Sequence, residues 1–172
     1  MALSKIQTKE ELARTLPTLK DAGKTVVFTN GCFDILHLGH VDYLEKAKAL
    51  GSILILGLNS DQSIKEQGKG ELRPIVSFPG RAGVMAGLAS VDYVVEFGEK
   101  TPIQLIQALQ PDILVKGADY SETEMDPNSP KYIVGKAEME AWGGKVKTIE
   151  FLDGFSTSAI VHKIEKHAAN RG

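Results

Sequence analysis

The chain reads, from residue 26 to residue 40, Val26-Val27-Phe28-Thr29-Asn30-Gly31-Cys32-Phe33-Asp34-Ile35-Leu36-His37-Leu38-Gly39-His40. Its first residues are β-branched and aromatic, which is typical of a buried strand, and Asn30-Gly31 is a turn dipeptide. Apolar residues then recur at helical spacing until Gly51, at Val41, Leu44, Ala47 and Leu50. The segment therefore predicts a strand, a loop and a helix in direct succession.

The loop of this segment has the properties of an anion-binding site. Gly31 and Gly39 have no Cβ, so backbone amides beside them are open to close approach by a ligand. The first amide hydrogens of the following helix are unpaired and carry partial positive charge, which suits a phosphate chain. His37 and His40 are three residues apart, so both imidazoles lie on one face of the helix if it begins near Leu38. The spacing predicts two donors aimed at one anion.

Simpler interpretations of these residues have to be weighed. A single histidine on a helix is more often solvated or structural than functional, but the pair in this setting favours function. Two histidines without a further Cys or His cluster provide too few ligands for zinc. Cys32 is better explained as a small buried residue than as a nucleophile, because no base is suitably spaced. For Asp34, the alternative to a functional role is that it only caps a turn.

The remainder of the chain alternates between strand and helix patterns. Strands are expected at 53–58, 90–97, 112–120 and 145–152. Helices are expected from Thr8, with Pro17 ending or kinking the helix, at 62–66, at 81–88, at 101–109 with Thr101 as N-cap, at 131–140, and from 159 onward. The alternation predicts an α/β fold with an open parallel sheet of five strands, right-handed crossovers and helices on both faces.

Length and composition limit the class of protein. The 172 residues carry no linker or repeat and predict one domain, with a helical flank at 1–23 and a core at 24–165. A formal net charge of −2 does not indicate the basic surface of a nucleic-acid-binding protein, and one cysteine cannot form an intrachain disulfide. Neither an apolar signal region nor an apolar run of membrane-spanning length is present. The expected location is the cytoplasm. No nucleic-acid or membrane partner is expected, and the protein could form a homodimer.

Polar residues follow several of the expected strands, where open α/β sheets bind ligands. Asn59 and Asp61 follow the second strand, and Asp61 could equally cap the next helical turn. The fourth strand ends in Lys116 and Gly117, close to Asp119. The hydroxyls of Ser156 and Thr157 precede the last helix, where they can cap it, bind phosphate, or do both.

A glycine-rich, basic segment at 67–74 carries Lys69 and Arg73. It has too little apolar surface to pack and enough freedom to close over a phosphate, so we expect a lid, with a solvated loop as the alternative. Arg81 lies near the start of the next helix, where a cation opposes the helix macrodipole. That unfavourable position makes contact between Arg81 and an anionic ligand more attractive.

The residues Gly31-Cys32-Phe33-Asp34 and His37-Leu38-Gly39-His40, set between a strand and a helix, resemble the signature of the cytidylyltransferase-like nucleotidyltransferases. The resemblance implies a small Rossmann-like enzyme. In the implied reaction, a phosphate oxygen of a metabolite attacks the α-phosphorus of a nucleoside triphosphate and pyrophosphate leaves. Histidines, lysines, helix amides and a magnesium ion carried with the nucleotide stabilise the developing charge.

Further motifs extend the resemblance from about Val26 to Ile164. They include Asn59-Ser60-Asp61, Val115-Lys116-Gly117 with Asp119-Tyr120, and Asp153-Gly154 with Ser156-Thr157. Together they are similar to the branch that transfers AMP from ATP to a heptose 1-phosphate for lipopolysaccharide core. The last motif lacks the arginine typical of the glycerol phosphate and choline phosphate branches. A relative that uses CTP, GTP or another acceptor, and a non-catalytic nucleotide-binding protein, are the alternatives.

The resemblance and the residue patterns together assign roles to individual positions. The expected catalytic residues are His37, His40, Lys69 and Arg73. The expected nucleotide-binding residues are Asn30, Gly31, Cys32, Phe33, Gly39, His40, Arg81, Lys116, Gly117, Asp119, Ser156 and Thr157. The expected residues for the sugar phosphate are Asp34, Asn59, Asp61 and Lys69. No residue is expected to hold a metal directly, because Mg²⁺ would arrive with ATP.

Overall fold

A computed structural model describes residues 2–68 and 72–170 of the chain, and its centre is a parallel sheet of five strands. The strands are β1 (Val26–Gly31), β2 (Ile53–Asn59), β3 (Tyr93–Phe97), β4 (Ile113–Gly117) and β5 (Lys145–Ile149). They lie in the order β3-β2-β1-β4-β5, and every pair is parallel. The predicted five-stranded parallel sheet is therefore confirmed.

Helices alternate with these strands along the chain. They are α1 (Lys9–Asp21), α2 (Leu38–Lys48), α3 (Asp61–Glu66), α4 (Phe78–Ala86), α5 (Ile103–Leu109), α6 (Lys136–Ala141) and α7 (Thr157–Ala169). A short 3₁₀ helix at Ala2–Lys5 precedes them, which the sequence patterns did not predict. In the described part of the chain no helix is both long enough and apolar enough to cross a membrane.

The sheet is covered on both faces because its central strands are apolar on both sides. Along β1, Val27 belongs to the core layer that includes α2 and α4, whereas Phe28 belongs to the layer with α1, α5 and α6. The same alternation occurs along β2, in which all seven residues are buried. β5 is half exposed, as expected for an edge strand. The two core layers confirm the prediction of helices on both faces.

Several element boundaries differ from the sequence-based expectations. α1 continues through Pro17 to Asp21, because the Thr8–Glu11 capping box fixes its start and buried Leu12 and Leu16 hold it against the core. α6 begins at Lys136 rather than at residue 131, because Gly135 has a left-handed backbone with a φ of 96° that interrupts a helix. The N-cap of α5 is Pro102, one residue after the expected Thr101. β3 is shorter than its expected range and begins at Tyr93.

The carboxyl ends of β1, β2 and β4 meet at one edge of the sheet, where α2 and α3 begin. β1 lies between β2 and β4, so the chain adds β2 and β3 on one side of β1 and then β4 and β5 on the other side. Open α/β sheets bind ligands in the crevice at such a point. The loop after β1 is therefore where a ligand is expected.

The central strand β2 gives a test of the packing. A Cβ on Gly57 would lie 2.7 Å from Cζ of Phe28, a ring that is 0% exposed. We expect Gly57→Ala to lower the free energy of unfolding by about 1–3 kcal/mol through overpacking, measured by urea denaturation. Gly83→Ala in α4 is the matched control, because its nearest neighbour would be 3.9 Å away. The control should be neutral or stabilising by up to about 1 kcal/mol, and equal stability of both variants would contradict this account.

Candidate active site

A cavity of about 520 Å³ opens at the carboxyl edge of the sheet. Its walls include the loop after β1, the first turns of α2 and α7, and the ends of β2 and β4. Most of the predicted site residues line it: Asn30, Gly31, Cys32, Phe33, His37, Gly39, His40, Asn59, Lys116, Gly117, Asp119, Ser156 and Thr157. Four described residues that were predicted for the site lie outside the lining: Asp34, Asp61, Arg73 and Arg81. Lys69 lies outside the described residues.

The first turn of α2 faces this cavity without a side-chain cap. The helix begins at Leu38, the start on which the shared face of the two histidines depends, and the imidazole of the N-cap residue His37 makes no capping hydrogen bond. Amide hydrogens at an uncapped helix start carry partial positive charge and are available to an anion. A contact with the sheet fixes the position of α2, since the Tyr43 hydroxyl on α2 lies 2.8 Å from Thr29 Oγ1 on β1. Thr29 Oγ1 in turn donates to the carbonyl of Val115 on β4.

His37 and His40 form a stacked pair at this helix start. Their ring centroids are 3.8 Å apart with an interplanar angle of 17°, and the Phe33 ring lies 5.0 Å from His40 on the other side. Within the described part of the chain, both Nδ1 atoms are buried without a hydrogen-bond partner. The prediction that both imidazoles share one face of the helix is confirmed.

The burial of this pair sets its protonation state. Desolvation, with a smaller contribution from neighbouring His37, lowers the pKa of His40 to about 4. Desolvation also lowers the pKa of His37 below its ordinary value. Both imidazoles are therefore neutral near pH 7, and each carries one N–H donor.

Glycines allow the close packing around the pair. A Cβ on Gly39 would lie 3.1 Å from His37 Nδ1 and 3.1 Å from Phe155 Cβ, and a Cβ on Gly31 would lie 2.8 Å from the Phe33 ring. Phe33 itself has a φ of 44°, in the left-handed region that disfavours residues with a Cβ. Burial of its ring against Gly31 and His40 compensates for that conformation.

Arg81 occupies a different place from the one predicted for a phosphate ligand. Its side chain is fully buried behind the cavity, and its guanidinium donates to the carbonyls of Cys32, Asn59 and Val76 at 2.7–2.9 Å. It also pairs with the Asp61 carboxylate at 2.7 Å. Burial opposes ionisation of Asp61, but the hydrogen bond from Arg81, with smaller contributions, holds the pKa of that carboxyl below its ordinary value. Arg81 therefore links the loop after β1, the end of β2 and the segment before α4 through its hydrogen bonds.

The expected capping role of Asp61 is wrong, while its contact with the sugar phosphate stays a prediction. Ser60, not Asp61, is the N-cap of α3, and its Oγ accepts from the Ser63 amide. Asn59 does line the cavity, where its Nδ2 donates to Ser63 Oγ at 3.0 Å. Sequence spacing identified polar residues after β2 but not which of them would turn inward.

Asp34 and Arg73 are also bound to each other. Arg73 Nε lies 2.5 Å from Asp34 Oδ2, and the Asp34 side chain is completely buried. The two carboxylate oxygens of Asp34 accept from the amides of Ile75 and Val76 at 2.9 and 2.8 Å. The expectation of direct contact between Asp34 and substrate does not agree with this burial. Asp34 instead ties the loop after β1 to residues 73–76.

The end of β4 and the start of α7 complete the opposite wall. Lys116 Nζ donates to Asn30 Oδ1 at 2.5 Å and lies 5.4 Å from the centre of the Tyr120 ring. Ser156 is the N-cap of α7, and its Oγ accepts from the Ala159 amide at 3.1 Å. The capping role of Ser156 is confirmed, while phosphate contact by Ser156 and Thr157 stays a prediction. His162 is exposed on α7.

The cavity also has lining residues that sequence reasoning did not identify: Tyr43, Gln67, Phe97, Lys100, Thr101, Pro102, Val134, Phe151, Leu152 and Phe155. A signal was present for some of them. Phe97 ends β3 at the same edge as the other strands, and Tyr43 is three residues after His40 on α2. Phe151 was expected inside the last strand, which ends at Ile149, and Phe155 lies in the segment considered for its hydroxyls. Apolar spacing did not indicate that either ring would reach the cavity.

No group of three or more His, Cys, Asp or Glu side chains in the described ranges could hold a metal ion. Two ion pairs lie beside the cavity, Arg73 with Asp34 and Arg81 with Asp61, whereas the charged residues Lys100, Lys116 and Asp119 line it. Donors for an anion are thus available from helix amides, neutral imidazoles and the lining lysines.

Comparison with known proteins agrees with this architecture. Proteins named "Bifunctional protein HldE" are similar to most of the chain: that of Syntrophotalea carbinolica is 51% identical over 161 residues, and that of Helicobacter pylori strain J99 is 55% identical over 155 residues. These matches cover 94% and 90% of this chain but 31% of each relative. The chain spans about a third of the length of the curated relatives that it matches.

Two solved structures share the fold. A lipopolysaccharide core biosynthesis protein from Thermoplasma volcanium GSS1 has a TM-score of 0.58 and 28% identity, over 76% of this chain and 98% of that one. Pantoate-beta-alanine ligase from Francisella tularensis has a TM-score of 0.59 over 97% of this chain and 79% of that one, and its 13% identity supports the fold alone.

The family comparison covers the complete site. The family described as cytidylyltransferase-like matches residues 28–163, which include the loop after β1, the histidine pair and the start of α7. This range is well over half of the chain. The chain therefore belongs to the cytidylyltransferase-like family of nucleotidyltransferases.

Proposed function

We propose that this chain transfers AMP from MgATP to a heptose 1-phosphate and releases pyrophosphate and ADP-heptose, for lipopolysaccharide core or another surface glycan. The observation that carries the proposal is the stacked, neutral pair of His37 and His40 at the uncapped start of α2. About half of the residues are identical to proteins named HldE over most of this chain, and a structural relative is a lipopolysaccharide core biosynthesis protein. Both comparisons support a sugar phosphate as the acceptor.

The reaction is one displacement at the α-phosphorus. An oxygen of the sugar phosphate forms the new P–O bond while the bond from the α-phosphorus to the bridging oxygen of pyrophosphate breaks. Negative charge grows on the non-bridging and leaving oxygens, and no covalent intermediate with the protein is needed. The amides at the start of α2 and the N–H groups of His37 and His40 supply donors for that charge.

Nucleotidyltransferases of this family generally use a divalent metal with the nucleotide. We propose that this metal is Mg²⁺ and that it arrives as part of the MgATP substrate. For the nucleotide we propose the lining residues Asn30, Cys32, Lys116, Asp119, Ser156 and Thr157, with Lys69 as an additional cation. Arg73 and Arg81 would act through the loops that they hold. We further propose that residues 1–172 form one domain acting in the cytoplasm.

The first test is the choice of substrates. We expect pyrophosphate release from MgATP with a heptose 1-phosphate, and little from either substrate alone or from MgCTP or MgGTP. Release with another nucleotide would keep the chemistry and contradict the ADP-heptose assignment. If the chain bound nucleotide without turnover of any pair, it would be a binding protein rather than an enzyme.

The histidine pair gives the second test. Because loss of one transition-state donor typically costs 10²–10³-fold, we expect His40→Ala to lower kcat by at least about a hundredfold. Circular dichroism would verify the fold, and His162→Ala on the exposed face of α7 is the control with unchanged kcat. A folded His40→Ala variant with normal turnover would exclude the proposed role.

The third test uses the protonation of His40. Its pKa is about 4 in the folded chain and about 6.5 when unfolded, so between these values the unfolded state binds the additional proton. This contribution to stability is complete above about pH 6.5 and is lost as the pH falls toward 4. Urea denaturation from pH 4.5 to 7 should give a flatter profile for His40→Gln than for the natural chain. His162→Gln should keep the natural slope, and identical profiles for all three would contradict burial of a neutral His40.

A further inference from the structure

The cavity has one wall near the ends of β2 and β3 and another near the end of β4. The first wall carries the polar residues Asn59, Gln67, Lys100 and Thr101 beside the apolar Phe97 and Pro102. The second wall carries Val134, Leu152 and the rings of Tyr120 and Phe151 beside the charged Lys116 and Asp119. Both walls flank the start of α2, where the phosphates bind in the proposed reaction. The second wall thus presents two aromatic rings close to the proposed phosphate site.

Phe151 is the most exposed large apolar side chain of the second wall. Its ring lies directly on the backbone of Gly117, since a Cβ there would be 2.0 Å from Cζ and 2.6 Å from Cε2. On the inner side the Tyr43 ring lies at 6.0 Å with an interplanar angle of 34°. Phe151 nevertheless remains 55% exposed. The ring is thus supported by the end of β4 on one side and open on another.

An aromatic ring held in this way in a concave site suits a flat ligand. The faces of a nucleobase are flat and weakly polar, and their stacking on an aromatic side chain is favourable for any base. A sugar with many hydroxyls needs donors and acceptors instead, which the wall with Asn59 and Lys100 offers. The aromatic rings of the second wall therefore suit the base.

We propose that Phe151 is the stacking platform for the nucleobase and that its ring is supported by the backbone of Gly117. The proposal rests on the nucleotide part of the proposed function and not on the identity of the acceptor. Gly117 has a specific part in it, because any side chain there would displace the ring.

The test separates base contact from phosphate contact. Binding of MgATP and of magnesium tripolyphosphate, which has no base, is measured by isothermal titration calorimetry. Phe151→Leu keeps apolar volume without a ring, and we expect it to weaken MgATP binding about tenfold while tripolyphosphate binding stays within about twofold. Phe151→Trp retains a flat face and should bind MgATP about as well as the natural chain. Ile164→Ala, which removes an equally exposed apolar side chain from α7, is the control without effect.

The kinetic readout should agree with the binding data. Phe151→Leu should raise KM for the nucleotide and leave KM for the acceptor and kcat nearly unchanged. Equal losses of MgATP and tripolyphosphate affinity, or natural MgATP affinity in Phe151→Leu, would overturn the proposal. The natural chain could bind nucleotide but fail to turn over a heptose 1-phosphate. That result would contradict the proposed acceptor and leave the Phe151 proposal standing, because nucleotide binding by the Phe151 variants could still be compared.

Discussion

A buried guanidinium holds together the loops from which the candidate site is built. Arg81 donates to carbonyls of Cys32, Asn59 and Val76, which belong to separate segments, and its charge is balanced by Asp61. A buried polar group left without a partner costs about 1–3 kcal/mol, and an uncompensated buried charge costs more. The loops are therefore stable in the arrangement that satisfies the arginine. The Asp34–Arg73 pair adds a second tie between the loop after β1 and residues 73–76.

Glycines determine the shape of the cavity that these loops enclose. The Phe33 ring lies on Gly31, Phe155 lies beside Gly39, and the Phe151 ring lies on Gly117. A Cβ would clash with the rings at Gly31 and Gly117 and would be tightly packed at Gly39, so glycine serves the packing at these positions as well as access to the backbone. The aromatic rings that result are fixed walls. This explains how a loop of small residues can present a shaped surface to a ligand.

The sequence predicted those features that depend on local periodicity. The apolar run of β2, the helical spacing after His40 and the position of the histidine pair all follow from residues close together in the chain. Roles that depend on partners distant in sequence were not predictable. Asp61 and Arg81 are both charged residues near helix starts, and spacing could not indicate that they pair with each other rather than with a ligand. The start of α6 was misjudged because the left-handed backbone of Gly135 has no signal in apolar spacing.

Two arginines beside the site are paired with carboxylates, and the donors at the start of α2 are neutral. Arg73 and Arg81 are both held by carboxylates, and burial keeps His37 and His40 neutral. In the proposed reaction, fixed dipoles stabilise the charge that develops on the transferred phosphoryl group, because they are already oriented and poorly screened. In that reaction, burial of the histidine pair acts on the transition state.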